Sequence, residues 1–130
     1  MNPINFSPSY KTVKCGGTLT SPSGSFSSPE YPSAYPNYLD CTWVMLAPVG
    51  NQILFSVDFF EVEGHLMCNY DYLMIYNGGS SNSPLIGKYC GFVNIAPYTS
   101  TGNALRIVFN SDLNNQFSGF VARYSFVSAS

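Results

Sequence analysis

Three stretches of the chain alternate apolar and polar residues with a period of two. Ile53, Phe55, Val57 and Phe59 share one face with Leu54 and Ser56 between them; Leu105, Ile107 and Phe109 face one way with Arg106 and Val108 opposed; Phe120, Ala122, Tyr124 and Phe126 alternate with Val121, Arg123 and Ser125. Successive side chains of an extended chain point to opposite faces, so each stretch predicts a strand with one buried face. Residues 42–46 and 72–76 are apolar almost without a break, the pattern of a strand placed centrally between two sheets. Turn chemistry separates these runs: Pro48-Val49-Gly50-Asn51, Asn77-Gly78-Gly79-Ser80 and Thr101-Gly102-Asn103 all contain residues that tolerate positive φ. No window sustains a helical period and no internal repeat is evident, so the pattern predicts an all-β sandwich or barrel.

Residues 1–14 show no apolar periodicity and include Pro3 and Pro8, which predicts a tail or linker ahead of a domain running from 15 to 127, with 128–130 as a short C-terminal tail. At 130 residues one domain can bury a real core without a metal or a staple. Only 9% of residues are charged while 16% are aromatic, so Ser, Asn, Thr and Tyr must supply most of the wetted surface. Five Lys plus Arg and a net charge of −2 exclude the basic stripe that a nucleic-acid backbone requires. No run of about eighteen apolar residues predicts a membrane span. Met1 is followed by polar residues and Pro rather than a basic start and an apolar run, so it reads as an initiator on a fragment of a larger secreted or surface protein.

Cys15, Cys41, Cys68 and Cys90 are widely separated and form no CxxC pair, which suits two disulfides better than a zinc site. Spacing alone permits three connectivities. A bridge closing a loop of this size contributes roughly 3 kcal/mol in the loop-entropy picture. Asn5-Phe6-Ser7 matches a glycosylation acceptor, in keeping with secretion. Catalysis finds little support. His65 is the only histidine, no Gly-x-Ser-x-Gly elbow occurs, and the sequence offers no signal that one of Glu61, Glu63 and Asp71 is held protonated for glycoside hydrolysis.

In order, the chain carries Cys15-Gly16-Gly17, Ser28-Pro29-Glu30-Tyr31-Pro32-Ser33-Ala34-Tyr35-Pro36, Cys41-Thr42-Trp43, Cys68-Asn69-Tyr70-Asp71-Tyr72-Leu73, Tyr89-Cys90-Gly91, Phe109-Asn110-Ser111-Asp112 and Ser118-Gly119-Phe120-Val121-Ala122-Arg123-Tyr124. Together they resemble a CUB domain, the module of complement proteases, tolloid-like proteases, cubilin and spermadhesins. The resemblance implies a jelly-roll sandwich of two antiparallel sheets, bridged Cys15 to Cys41 and Cys68 to Cys90. The Tyr-Pro-x-x-Tyr-Pro segment suits an extended stretch that cannot continue a ladder, because Pro lacks the N–H; core packing accounts for Tyr31.

The resemblance extends to the calcium-binding subset of the family. Its three acidic positions fall on Glu63, Asp71 and Asp112, with Tyr35 supporting a ligating carboxylate by a hydrogen bond and the backbone carbonyls of Leu113 or Asn114 completing the shell. Glu61 is a rival to Glu63, and the spacing to Cys68 decides for Glu63. Hard oxygen donors from separate loops are what Ca²⁺ requires. Three carboxylates and one Ca²⁺ leave a charge of −3 + 2 = −1, so the occupied site would still attract a Lys or Arg of an extracellular protein partner, the recognition mode of this subset. Other readings are a carbohydrate-binding module like the spermadhesins, using the abundant Tyr and Asn, and a structural spacer within a mosaic protein.

Overall fold

The computed structural model describes residues 13–112 and 117–128, which form nine strands: β1 Val13–Leu19, β2 Ser23–Ser27, β3 Leu39–Leu46, β4 Asn51–Glu61, β5 Tyr72–Tyr76, β6 Leu85–Tyr89, β7 Tyr98–Thr99, β8 Ala104–Asn110 and β9 Gly119–Ser128. They make two sheets, a five-stranded one in the order β1-β3-β8-β5-β6 and a four-stranded one in the order β2-β9-β4-β7. The result is the expected all-β sandwich, with one departure. Every neighbouring pair is antiparallel except β1 and β3, which run parallel. A parallel neighbour needs a crossover, and here β2, in the opposite sheet, together with the Tyr-Pro segment provides it. That segment makes turns and no ladder between β2 and β3, as its prolines predict.

The two sheets bury one face each. Trp43 and Met45 of β3, Leu73 and Ile75 of β5, and Leu105, Ile107 and Phe109 of β8 face Ile53 and Phe55 of β4 and Phe120, Ala122 and Tyr124 of β9. Aromatic rings link the layers: Trp43 meets Phe120 edge-on at 5.6 Å and stacks on Phe26 at 4.6 Å, while Phe109 meets Phe120 at 5.1 Å. Each buried large side chain contributes about 1.5–3 kcal/mol. The uninterrupted apolar runs of β3 and β5 nevertheless bury only alternate residues. Both strands are interior to their sheet, but the sheet has a single packed face, so Val44, Tyr72 and Met74 lie half-buried among outer-face neighbours.

Two further details correct the local pattern. A bulge between Val57 and Phe59 slips the register of β4 against β9, so Phe60 and Val62 enter the core where strict alternation continues through Phe59. An extra residue on one strand reverses which side chains face inward beyond it. Phe59 instead packs on Tyr31 at 5.4 Å, and Tyr31 is half-buried there, outside the central core. The short strands β1, β2, β6 and β7 carry little alternation. Ser23-Gly24-Ser25-Phe26-Ser27 becomes a strand through five antiparallel pairings with β9 rather than through its own residues.

Both disulfides join the expected partners, Cys15 to Cys41 and Cys68 to Cys90. Cys15 lies directly opposite Cys41 in the parallel ladder, with Cα atoms 4.3 Å apart. Gly16 has φ +107°, and a Cβ there would lie 1.9 Å from the carbonyl oxygen of Thr42. Gly16 is thus what allows β1 to approach β3 closely.

Candidate metal centre

Asp71 directly precedes β5, and Asp112 lies two residues beyond the end of β8. The two strands pair antiparallel with Tyr72 opposite Asn110, so both acids leave the sheet at the same end. Glu63 reaches that end from the other sheet, two residues after β4. Glu63 and Asp71 are buried and Asp112 is half-buried, and one carboxylate oxygen from each lies within 4.8 Å of the others. Glu61 is absent from this cluster; it ends β4 opposite Gly119 and is half-buried elsewhere.

Tyr35 organises the cluster. Its hydroxyl donates to Asp71 Oδ2 at 2.6 Å and accepts the backbone N–H of Glu63 at 3.2 Å, linking two of the three acids through one buried oxygen. The other oxygen of Asp71 accepts the backbone N–H of Asp112 at 2.8 Å. Tyr35 is held in turn by its N–H donating to the carbonyl of Phe117 at 3.0 Å and by an edge-on contact with Phe109 at 5.1 Å.

Ser111 is a positioning residue to which the sequence motif assigned no role. Its Oγ donates to the Pro36 carbonyl at 2.8 Å and accepts the Leu39 N–H at 2.9 Å, while its own N–H donates to the Leu39 carbonyl at 3.1 Å. Tyr38 N–H also donates to the Asp112 carbonyl at 3.1 Å. The Tyr-Pro segment and the Asp112 turn are thereby locked together. A serine between an apolar run and an acid was the one available signal in the sequence.

Burial is the main force on the Asp71 carboxyl, pushing it up from 3.8 to about 7; the hydrogen bonds from Tyr35 and the Asp112 N–H work against the rise, and the Asp112 carboxyl adds to it. Burial and the Asp71 carboxylate also hold the Tyr35 hydroxyl far above its ordinary value, so it remains a donor. Burial thus disfavours the ionised form of Asp71 unless a cation joins it. The donor set fits Ca²⁺. Oxygens sharing one such ion at roughly 2.3–2.6 Å can be at most about 5 Å apart, which these three satisfy.

Leu113, Asn114 and Asn5 lie outside the described residues. His65 is half-buried in the loop between Glu63 and Asp71. Its Nδ1 accepts the N–H groups of Met67 at 3.2 Å and Asn69 at 3.4 Å, and its ring lies 4.3 Å from that of Tyr70, so it shapes the loop. The Cys68–Cys90 bridge ties that loop to the segment after β6, where Val62 N–H donates to the Gly91 carbonyl at 3.2 Å.

Fold and site together define a disulfide-stapled, all-β module with a convergent acidic centre between its sheets. The profile described as CUB domain matches residues 15–124, and the chain belongs to the CUB domain family. It is 38% identical to the dog (Canis lupus familiaris) protein cubilin over 122 residues, 94% of this chain and 3% of that protein. The full extracellular region of zebrafish Gpr126/Adgrg6 superposes with a TM-score of 0.81 at 36% identity, covering 90% of this chain and 15% of that one. The MASP-1 CUB2 domain, solved bound to Ca²⁺, superposes with a TM-score of 0.74 at 27% identity over 84% of this chain and 96% of that one. The chain thus spans a small part of the length of cubilin and of the Gpr126 region. No helix among the described residues is long and apolar enough to cross a membrane.

Proposed function

We propose that this chain is a non-catalytic, calcium-dependent protein-binding module in which Glu63, Asp71 and Asp112 hold one Ca²⁺ and present a net negative surface to a Lys or Arg of an extracellular partner. The observation that carries the reading is the convergence of one oxygen from each acid within 4.8 Å around a buried Asp71 already fixed on both oxygens. Preorganised ligands lose little freedom when the ion arrives. The likeness to a MASP-1 CUB2 domain solved with Ca²⁺ supports the same reading.

With Ca²⁺ in place the three carboxylates retain one uncompensated negative charge. A partner ammonium or guanidinium adds the missing positive charge in a setting partly screened from water, where the attraction is strong. Isothermal titration with Ca²⁺, followed by capture from an extracellular extract in Ca²⁺ and in EGTA, tests the reading. The expected result is stoichiometric Ca²⁺ binding, lost in Asp112→Ala, and capture that disappears both in EGTA and after acetylation of the partner's lysines. Capture that ignores EGTA but yields to simple sugars would place the function in carbohydrate recognition instead.

A further inference from the structure

The five-stranded sheet packs one face on the core and turns the other outward. Leu105, Ile107 and Phe109 of β8 point into the core, so the residues between and after them, Arg106, Val108 and Asn110, point out. In the ladders Arg106 lies between Val44 of β3 and Tyr76 of β5. Val108 lies between Thr42 and Met74, and Lys88 of β6 lies beyond Met74. Directly opposed residues share a face, so these side chains form two adjacent rows on the outer surface. Val44, Met74 and Tyr76 are half-buried there although no second layer covers them, and Lys88 is exposed.

The charges on this face are unbalanced. Arg123, on the other sheet, pairs with Asp58 at 2.9 Å, whereas neither Arg106 nor Lys88 has an acidic partner among the described residues. The Nε of Arg106 is buried, and no described residue accepts a hydrogen bond from it. The turn after β5 closes in beside it, since a Cβ on Gly79 would lie 3.6 Å from Val44 Cγ1 and 3.4 Å from Ala104 Cβ. Lys88 Nζ stands 4.3 Å from the centre of the Tyr72 ring, whose hydroxyl accepts from Asn110 Nδ2 at 3.2 Å. Asp40 is the one acid in the described strands of this sheet; it lies four residues from Val44, roughly 13 Å along β3. A donor that has lost its water without gaining an acceptor favours any ligand that supplies one, and a carboxylate does so best, because it matches the planar guanidinium.

We propose that this outer face is a second docking surface, independent of calcium, for an acidic segment of a protein partner. One Asp or Glu carboxylate meets Arg106, a second meets Lys88, and an apolar side chain between them covers Met74 and Tyr76. Two carboxylates are needed because β5 separates the strands that carry the two cations, a gap of about 10 Å. A polyanion is held by a continuous stripe of cations. Here two cations flank Tyr and Met side chains instead, the composition of the buried part of a protein interface.

The test measures fluorescence anisotropy of two labelled peptides on the full chain, one with Glu on both sides of a central Leu and one with Gln there, in EGTA and again in millimolar Ca²⁺. The Glu peptide should bind about tenfold tighter in both, as expected for gaining a charge-assisted hydrogen bond. Arg106→Gln should erase that advantage and Lys88→Gln should reduce it, with the circular dichroism spectrum retained. Lys88 is exposed, so its variant decides the matter should Arg106→Gln fail to fold. Equal affinity for the two peptides overturns the proposal, as does a Glu preference that Lys88→Gln leaves untouched. A preference seen in Ca²⁺ and lost in EGTA overturns it too, because binding would then depend on the acidic centre. Retention on a sulfated polysaccharide, lost in the same variants and without any peptide preference, overturns it in favour of a polyanion.

Discussion

The hydroxyl of Tyr35 donates to Asp71 Oδ2 at 2.6 Å across 36 residues of sequence, and the Tyr35 hydroxyl oxygen in turn accepts the Glu63 N–H. Tyr35→Phe removes both contacts while the ring keeps its place against Phe109. A hydrogen bond to a charged group is worth about 1.5–3 kcal/mol. Calorimetry should show Ca²⁺ affinity falling about tenfold or more while the circular dichroism spectrum is retained.

Glu61 and Glu63 are separated by a single residue, yet only Glu63 joins the cluster. Glu63→Ala should weaken Ca²⁺ binding by about tenfold or more, because affinity follows the number of charged ligands. Glu61→Ala should leave it unchanged. The two titrations side by side are the check, and a stronger effect at Glu61 would overturn the assignment.

The raised Asp71 gives a pH dependence with a definite sign. Its folded-state value of about 7 exceeds the ordinary 3.8, so between these the folded form binds more protons than the unfolded form. The stability this proton confers is fully present at low pH and is lost as pH rises through about 7. In EGTA, the urea midpoint should therefore fall between pH of about 4 and about 7 and level off above, and Asp71→Asn should flatten the trend. In saturating Ca²⁺ the decline should disappear, because the ion favours the ionised carboxyl and stabilises the native state by mass action.

The β4 bulge predicts opposite fates for two adjacent phenylalanines. Phe60 is 7% exposed inside the core, whereas Phe59 packs on Tyr31 at the outer side. Phe60→Ala should cost about 3–5 kcal/mol in chemical denaturation, and Phe59→Ala distinctly less. A larger loss at Phe59 than at Phe60 would mean that alternation runs unbroken through residue 58.

Much of this arrangement was legible in the residues. Alternation located β4, β8 and β9, and the apolar runs located β3 and β5, because side-chain period and burial are local properties of an extended chain. Cysteine order within a run of motifs anticipated both disulfides, and motif spacing singled out Glu63, Asp71, Asp112 and Tyr35. The Gly- and Ser-rich β2 and the two-residue β7 left no such mark, since they are strands by virtue of their partners.

By itself, then, the sequence determined that the protein is an all-β, disulfide-bonded module with three candidate ligand acids, Glu63, Asp71 and Asp112. Tertiary structure alone decided that β1 runs parallel to β3, that Phe60 rather than Phe59 enters the core, and that Ser111 locks the Tyr-Pro segment. Pattern is written residue by residue, whereas register and convergence arise from contacts such as the 2.8 Å bond between Asp112 and Asp71, which spans 41 residues. Such contacts form only once strands distant in sequence have paired.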